Sequence, residues 1–131
     1  MKFISDQIQE IDPAFSKKVK EFAGTPLDRC YQCLTCSLSC PVAFAMDYLP
    51  NQIIRMVQLG LRKQVLTSST IWLCATCETC VARCPNEVDV LKVMDALREM
   101  ALKEGEGKEK AITTFNRTFL QTIRLLGRQY E

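Results

Sequence analysis

The chain has 131 residues, 47% of them hydrophobic, with 17 basic and 15 acidic side chains for a formal charge of +2. That is one domain's length and enough apolar content for a modest core, and no apolar run is long enough to span a bilayer. Histidine is absent and cysteine occurs eight times; this excludes mixed Cys/His zinc sites, Rieske-type ligation, histidine-held haem and a histidine general base.

In chain order, Phe3, Ile4, Ile8 and Ile11 have helical spacing, but the run is short. Asp12-Pro13 reads as an N-cap followed by the first helical position, and Phe15, Val19 and Phe22 continue at four- and three-residue steps. The pattern predicts a helix over 13–23, closed by Gly24, with Thr25-Pro26 as the turn that follows.

Next comes Cys30, Cys33, Cys36, Cys40, Pro41, a C-x2-C-x2-C-x3-C-P run. After 33 intervening residues it returns as Cys74, Cys77, Cys80, Cys84, Pro85, so the two runs use all eight cysteines. Between them, Pro50 and Asn51 open a helical pattern of Ile53, Ile54, Val57 and Leu61, broken near Gly60. Arg62 to Leu66 fits a further short turn, and residues 67–70 a loop or cap. Beyond the second run, Asp89 caps a helix over 89–104 carrying Val90, Val93, Met94, Leu97 and Leu102. Residues 105–108 (GEGK) read as a hinge.

A final amphipathic helix over 110–128 sets Ile112, Phe115, Phe119, Ile123 and Leu126 on one stripe and Arg117, Arg124 and Arg128 on another face. That stripe suits either packing on the domain or docking a partner. Strand-like alternation and hairpin turns are missing, so the chain reads as a single all-α domain over 1–131 with its cluster-binding loops within 30–85.

The cysteine spacing is the ligand run of two-cluster [4Fe–4S] ferredoxins, where the fourth cysteine of each run serves the other cluster. Cys30, Cys33, Cys36 and Cys84 are therefore expected on one cluster, and Cys74, Cys77, Cys80 and Cys40 on the second. Two rivals weigh less. Disulfides suit oxidising compartments, and no secretory leader is read here; a cytoplasmic location is expected. Zinc sites space two C-x2-C pairs well apart, whereas here four cysteines fall within eleven residues, twice.

Two clusters, each about −2 with its thiolates, bring the formal charge from +2 to about −2. The scattered basic residues thus offset cluster charge and do not signal nucleic-acid binding. Thr35, Ser37, Ser39, Thr76 and Thr79 are candidate donors to cluster sulfurs, or simply residues that suit tight turns. Tyr31, Leu34, Leu38, Leu73 and Val81 are expected to supply apolar shielding, and Trp72 to cover a cluster. Arg55, Arg83 and Arg98 are candidates to balance cluster charge, with surface solvation as the default. No dinucleotide fingerprint, phosphate loop or spare thiol nucleophile is visible, so the chain reads as an electron relay without a substrate site.

Together, residues 30–41, 52–60 (QIIRMVQLG), 71–85 and 88–98, with Gly127 to Glu131, resemble the C subunit of heterodisulfide reductases. The resemblance covers about residues 12–131. It implies an α-helical ferredoxin-like fold with two [4Fe–4S] clusters. It also implies a place in an oxidoreductase complex, between a flavin-containing A subunit and a disulfide-reducing B subunit. Where many members of that family carry glycines in the first cysteine loop, this chain has Leu34 and Ser39. The readings kept beside it are a free-standing two-cluster ferredoxin shuttle and an all-cysteine zinc module.

Overall fold

A computed structural model describes residues 11–105 and 110–128. The stripe at Phe3, Ile4 and Ile8, most of the hinge at 105–108 and the segment from residue 129 onward lie outside the described residues. Among those described there is no strand, and the all-α reading holds.

Helix α1 (Phe15–Ala23) starts two residues later than the pattern predicts. Pro13 and Ala14 form a turn instead, with the Ala14 N–H donating to Asp12 Oδ1 at 3.0 Å. Phe15, Val19 and Ala23 are its buried face; Phe22 sits at the edge, half-exposed beneath the Lys103 ammonium. Gly24, at φ 66°, closes the helix by donating to Lys20 O.

Short helix α2 (Thr35–Ser39) leads to α3 (Pro50–Leu59), which begins on proline, where no N–H is needed. The side chain of Gln52 accepts the Leu49 N–H at 2.8 Å. Gly60 ends α3 at φ 79°. A Cβ there would lie 2.5 Å from Asp12 O, the residue whose N–H bonds to Gly60 O, so this position requires glycine. Helices α4 (Arg62–Leu66), α5 (Thr70–Leu73) and α6 (Thr79–Arg83) follow. Helix α7 (Val90–Glu104) is capped by Asp89, whose carboxylate accepts the Lys92 N–H, as the sequence indicates.

The core lies where α7 packs across α1, α3, α4 and α5, around Phe15, Leu27, Ile54, Leu66, Ile71 and Leu97. Each is 0–1% exposed and contributes about 1.5–3 kcal/mol of burial. Trp72 belongs to this core with its Nε1–H unpartnered, and it lines neither of the two cavities described below. It therefore packs as a core residue on α5, two residues before Cys74.

Between these layers, α2 packs on α6 and so brings the two cysteine loops together. Asp47 ties the segment that joins them. Its carboxylate accepts from Ser68 Oγ, Thr70 Oγ1 and the backbone N–H groups of Tyr48, Ser69 and Thr70. Burial pushes this carboxyl up, but the bonds from Thr70 and Ser68 outweigh that and bring its pKa to about 2.

Helix α8 (Lys110–Leu126) has no buried residue. Ile112 is partly buried against the core, while Phe115, Leu120 and Leu125 are well exposed and Phe115 stacks on Phe119 at 6.1 Å. No helix among the described residues is long and apolar enough to cross a membrane.

Candidate metal centres

The two cysteine loops adopt one backbone, each residue of the first having its counterpart 44 positions later. Gln32 and Leu34 stand at φ 63° and 70°; Thr76 and Glu78 stand at 56° and 62°. These left-handed residues curl the chain between the first three cysteines, and a short helix then carries the third and fourth on neighbouring turns. Cys40 and Cys84 both leave that helix in extended backbone, at ψ 119° and 117°, each followed by proline. Leu34 thus occupies a conformation that suits glycine, at a steric cost of about 1–2 kcal/mol.

Each loop is held at its entry by the helix that follows it. Gln58 on α3 donates through Nε2 to Leu27 O at 2.8 Å and Cys30 O at 3.5 Å. Arg98 on α7 does the same in the second loop, to Ile71 O and, through Nη2, to Cys74 O at 2.8 Å. Arg98 is thereby a clasp on the loop's backbone, with Nη1 also reaching Asp95. Arg55 meets Gln58 Oε1, and Arg83 lies on the exposed side of α6.

Two cavities open between the loops and the helices. One is lined by Cys30, Cys33, Cys36 and Cys84, with Ile54, Val88 and Val90 as its apolar wall. The second is lined by Cys74, Cys77, Cys80 and Cys40, against Met46, Pro50, Val90 and Met94. They enclose about 340 and 410 Å3, part of it open to solvent. Val90, 3% exposed, lines both.

All eight cysteines are free thiols. Among the described residues, no three His, Cys, Asp or Glu side chains are gathered for one metal ion. A zinc site would need thiolates about 3.8 Å apart, from a Zn–S length of 2.3 Å in a tetrahedron.

Their environments repeat. The outer thiols Cys33 and Cys77 are exposed and held below the usual thiol range, first by the Thr35 and Thr79 hydroxyls at 3.3 and 3.4 Å. Half-buried Cys36 is raised by desolvation, and Cys80 by desolvation and neighbouring Cys74, to about 11. Rings of four thiols resist ionising together unless a cationic core offsets them, the role that metal centres fill.

Of the five candidate hydroxyls, Thr35 and Thr79 therefore meet sulfur. Ser37 lies 3.9 Å from Cys36 Sγ but donates to Asn51 Oδ1, Ser39 bonds back to Thr35 O, and Thr76 bonds to Ala75 O. The shielding reading holds in part: Leu34 lines the first cavity. Leu38 is 84% exposed because Cys36 and Cys40 take the inner face of α2 and turn it outward, and Tyr31 is exposed as well. Ile54, Val88, Val90 and Met94 complete the apolar walls.

Gln32 and Asn51 carry no sequence signal beyond their places in a loop and at a helix start. Asn51 Nδ2 donates to Gln32 Oε1 at 3.1 Å, and Gln32 Nε2 donates to Cys30 Sγ at 3.4 Å.

Comparison with known proteins agrees with this geometry. The family model of a 4Fe–4S dicluster domain matches residues 26–88. The C subunit of the H2:CoB–CoM heterodisulfide, ferredoxin reductase of Methanothermobacter marburgensis is 40% identical over 95 residues, which is 72% of this chain and 51% of that protein. The iron–sulfur C subunit of the CoB–CoM heterodisulfide reductase of Methanopyrus kandleri is 36% identical over 103 residues, 79% of this chain and 52% of that one. A protein of Archaeoglobus profundus described as like the C subunit of heterodisulfide reductase is 31% identical over 96 residues, 72% and 51% respectively. The chain spans about half the length of the curated relatives it matches.

Proposed function

Since the chain is a relative of heterodisulfide reductase C subunits and carries a 4Fe–4S dicluster domain, we propose that it holds two [4Fe–4S] clusters and relays single electrons in a heterodisulfide-reductase-like complex. In this reading Cys30, Cys33, Cys36 and Cys84 ligate the first cluster, and Cys74, Cys77, Cys80 and Cys40 the second. Its neighbours are a flavin-containing subunit and a disulfide-reducing subunit, in the cytoplasm.

The observation that carries the proposal is the composition of the two cavities. Each is lined by three thiols of one run and the fourth of the other, over an apolar wall. Such clusters, when bound, exchange one electron at a time without making or breaking a substrate bond. The chain's own residues do the rest. Eight thiolates bind, Gln58 and Arg98 fix the loops, and Ile54, Val88, Val90 and Met94 keep water from the inner walls. With every cysteine on a cavity, no thiol is left to attack a disulfide. The exposed apolar side chains of α8, Phe115, Leu120 and Leu125, are offered to the neighbouring proteins of the complex.

Anaerobic purification of the full chain tests this. The protein should be brown, carry about eight irons and bring other subunits with it. A colourless, zinc-loaded protein overturns the cluster reading; about eight irons without any stable partner replaces the complex with a free shuttle.

A further inference from the structure

The two loops share a backbone frame but not the groups that face their sulfurs. In the first, a chain of hydrogen bonds ends on a thiol. Ser37 Oγ accepts the Asn51 N–H at 3.1 Å and spends its one proton on Asn51 Oδ1. The oxygen of the Asn51 amide is thereby fixed, so its nitrogen faces Gln32 Oε1. Gln32 must then turn its own nitrogen to Cys30 Sγ. Ser37 and Asn51 are 7% and 8% exposed, so water does not compete for the two bonds between them. A second donor, the Val88 N–H, reaches Cys84 Sγ at 3.3 Å.

Neither donor has a counterpart at the second cavity. Thr76, in the place of Gln32, bonds to Ala75 O, and Phe44, in the place of Val88, makes no bond to Cys40. Ser37 is matched by Val81, which has no hydroxyl. Glu78, in the place of Leu34, is exposed and brings no donor to a sulfur. Arg98, which reaches the second loop, is paired with Asp95 and directs Nε and Nη2 at backbone carbonyls.

We infer that the cavities are built for unequal redox poise: the cluster held by Cys30, Cys33, Cys36 and Cys84 is the more easily reduced, and Gln32, steered by Asn51 and Ser37, is the positioning residue that sets the difference. Reduction adds an electron and therefore negative charge to a cluster and its sulfurs. Donors aimed at sulfur favour the reduced form. No bond breaks; one electron passes from the reductant to the first cluster.

The inference rests on the two-cluster reading, and the test separates them. Anaerobic holoprotein is titrated with dithionite and followed by electron paramagnetic resonance, with Cys33→Ser and Cys77→Ser assigning the signals. The first cluster should reduce at the higher potential. Gln32→Asn keeps a residue at ease in left-handed backbone but is too short to reach Cys30 Sγ. It should lower the first midpoint by roughly tenfold in the reduced-to-oxidised ratio, about 59 mV for one electron, and leave the second in place. Asn51→Asp, which offers Gln32 no donor and draws its nitrogen away, should do the same. A wild-type protein with about eight irons whose second cluster reduces first overturns the inference. So does an iron-replete Gln32→Asn or Asn51→Asp variant with an unmoved midpoint. A wild-type protein with far fewer irons overturns the cluster reading itself.

Discussion

At the entry of the first cysteine loop an amide, Gln58, holds the carbonyls of Leu27 and Cys30; at the entry of the second a guanidinium, Arg98, holds those of Ile71 and Cys74. The held carbonyls correspond residue for residue, as do the left-handed positions and the Thr35 and Thr79 hydroxyls. What differs is charge and donor supply: a neutral clasp with Gln32 and Val88 against sulfur on one side, a cationic clasp without such donors on the other. Loop geometry is thus set by the cysteine spacing and its curled backbone, while the electrostatics of each site are set by residues outside that pattern.

The largest break in this comparison comes from the crossed thiols. Cys40→Ala should cost the cluster beside Cys74, Cys77 and Cys80 and leave the other, halving iron to about four per chain. Loss of the Cys30–Cys36 centre alone, read by spectroscopy, would refute the crossed arrangement. The clasps come next. Arg98→Ala removes a charged donor from two buried-side carbonyls and should cost about 2–3 kcal/mol, against about 1 kcal/mol for Gln58→Ala, by denaturant melts. Equal costs would mean that the charge adds nothing to the clasp.

Smaller effects follow from the strained positions. Leu34→Gly and Glu78→Gly each relieve a left-handed side chain at some cost in chain entropy, for a net gain of about 0.5 kcal/mol in thermal melts. A loss at either position would show that its side chain matters more than its backbone. The smallest concerns Asp47, which joins the segment after the first loop to the helix before the second. Its pKa is depressed to about 2, so its contribution is complete above its unfolded value near 3.8 and is lost as pH falls through about 2. Discounted for its exposure, that contribution is on the order of 1 kcal/mol. Asp47→Asn should flatten this acid limb of the stability curve relative to wild type.

The readable and unreadable parts of the sequence divide along a physical line. Helices α3 and α7 show in the sequence because periodic burial, Pro50, Gly60 and Asp89 all act locally. The cysteine runs show because a ligand set tolerates few spacings. By contrast, Gln32 meets Asn51 across 19 residues and Gln58 meets Leu27 across 31, from loop and helix positions with no period of their own. Leu38 misleads for a related reason. Hydrophobicity predicts that a side chain seeks cover, but the inward turn of Cys36 and Cys40 decides which face of α2 is left for Leu38. Aligning the two runs would have exposed the unequal pair of Gln32 and Thr76, the one clue to the donor network.

The exchange of fourth thiols also has a consequence for synthesis. Cys36 leaves the ribosome 48 residues before Cys84, the thiol that completes its ring. At roughly 5–20 residues per second that is a delay of about 2–10 s. Neither ring can close on a nascent half, because Cys40 waits for Cys74 and Cys36 waits for Cys84. Until then the early thiols stand reduced and exposed in an unfinished chain. Both thiol rings therefore become complete almost together, once Cys80 and Cys84 have been made.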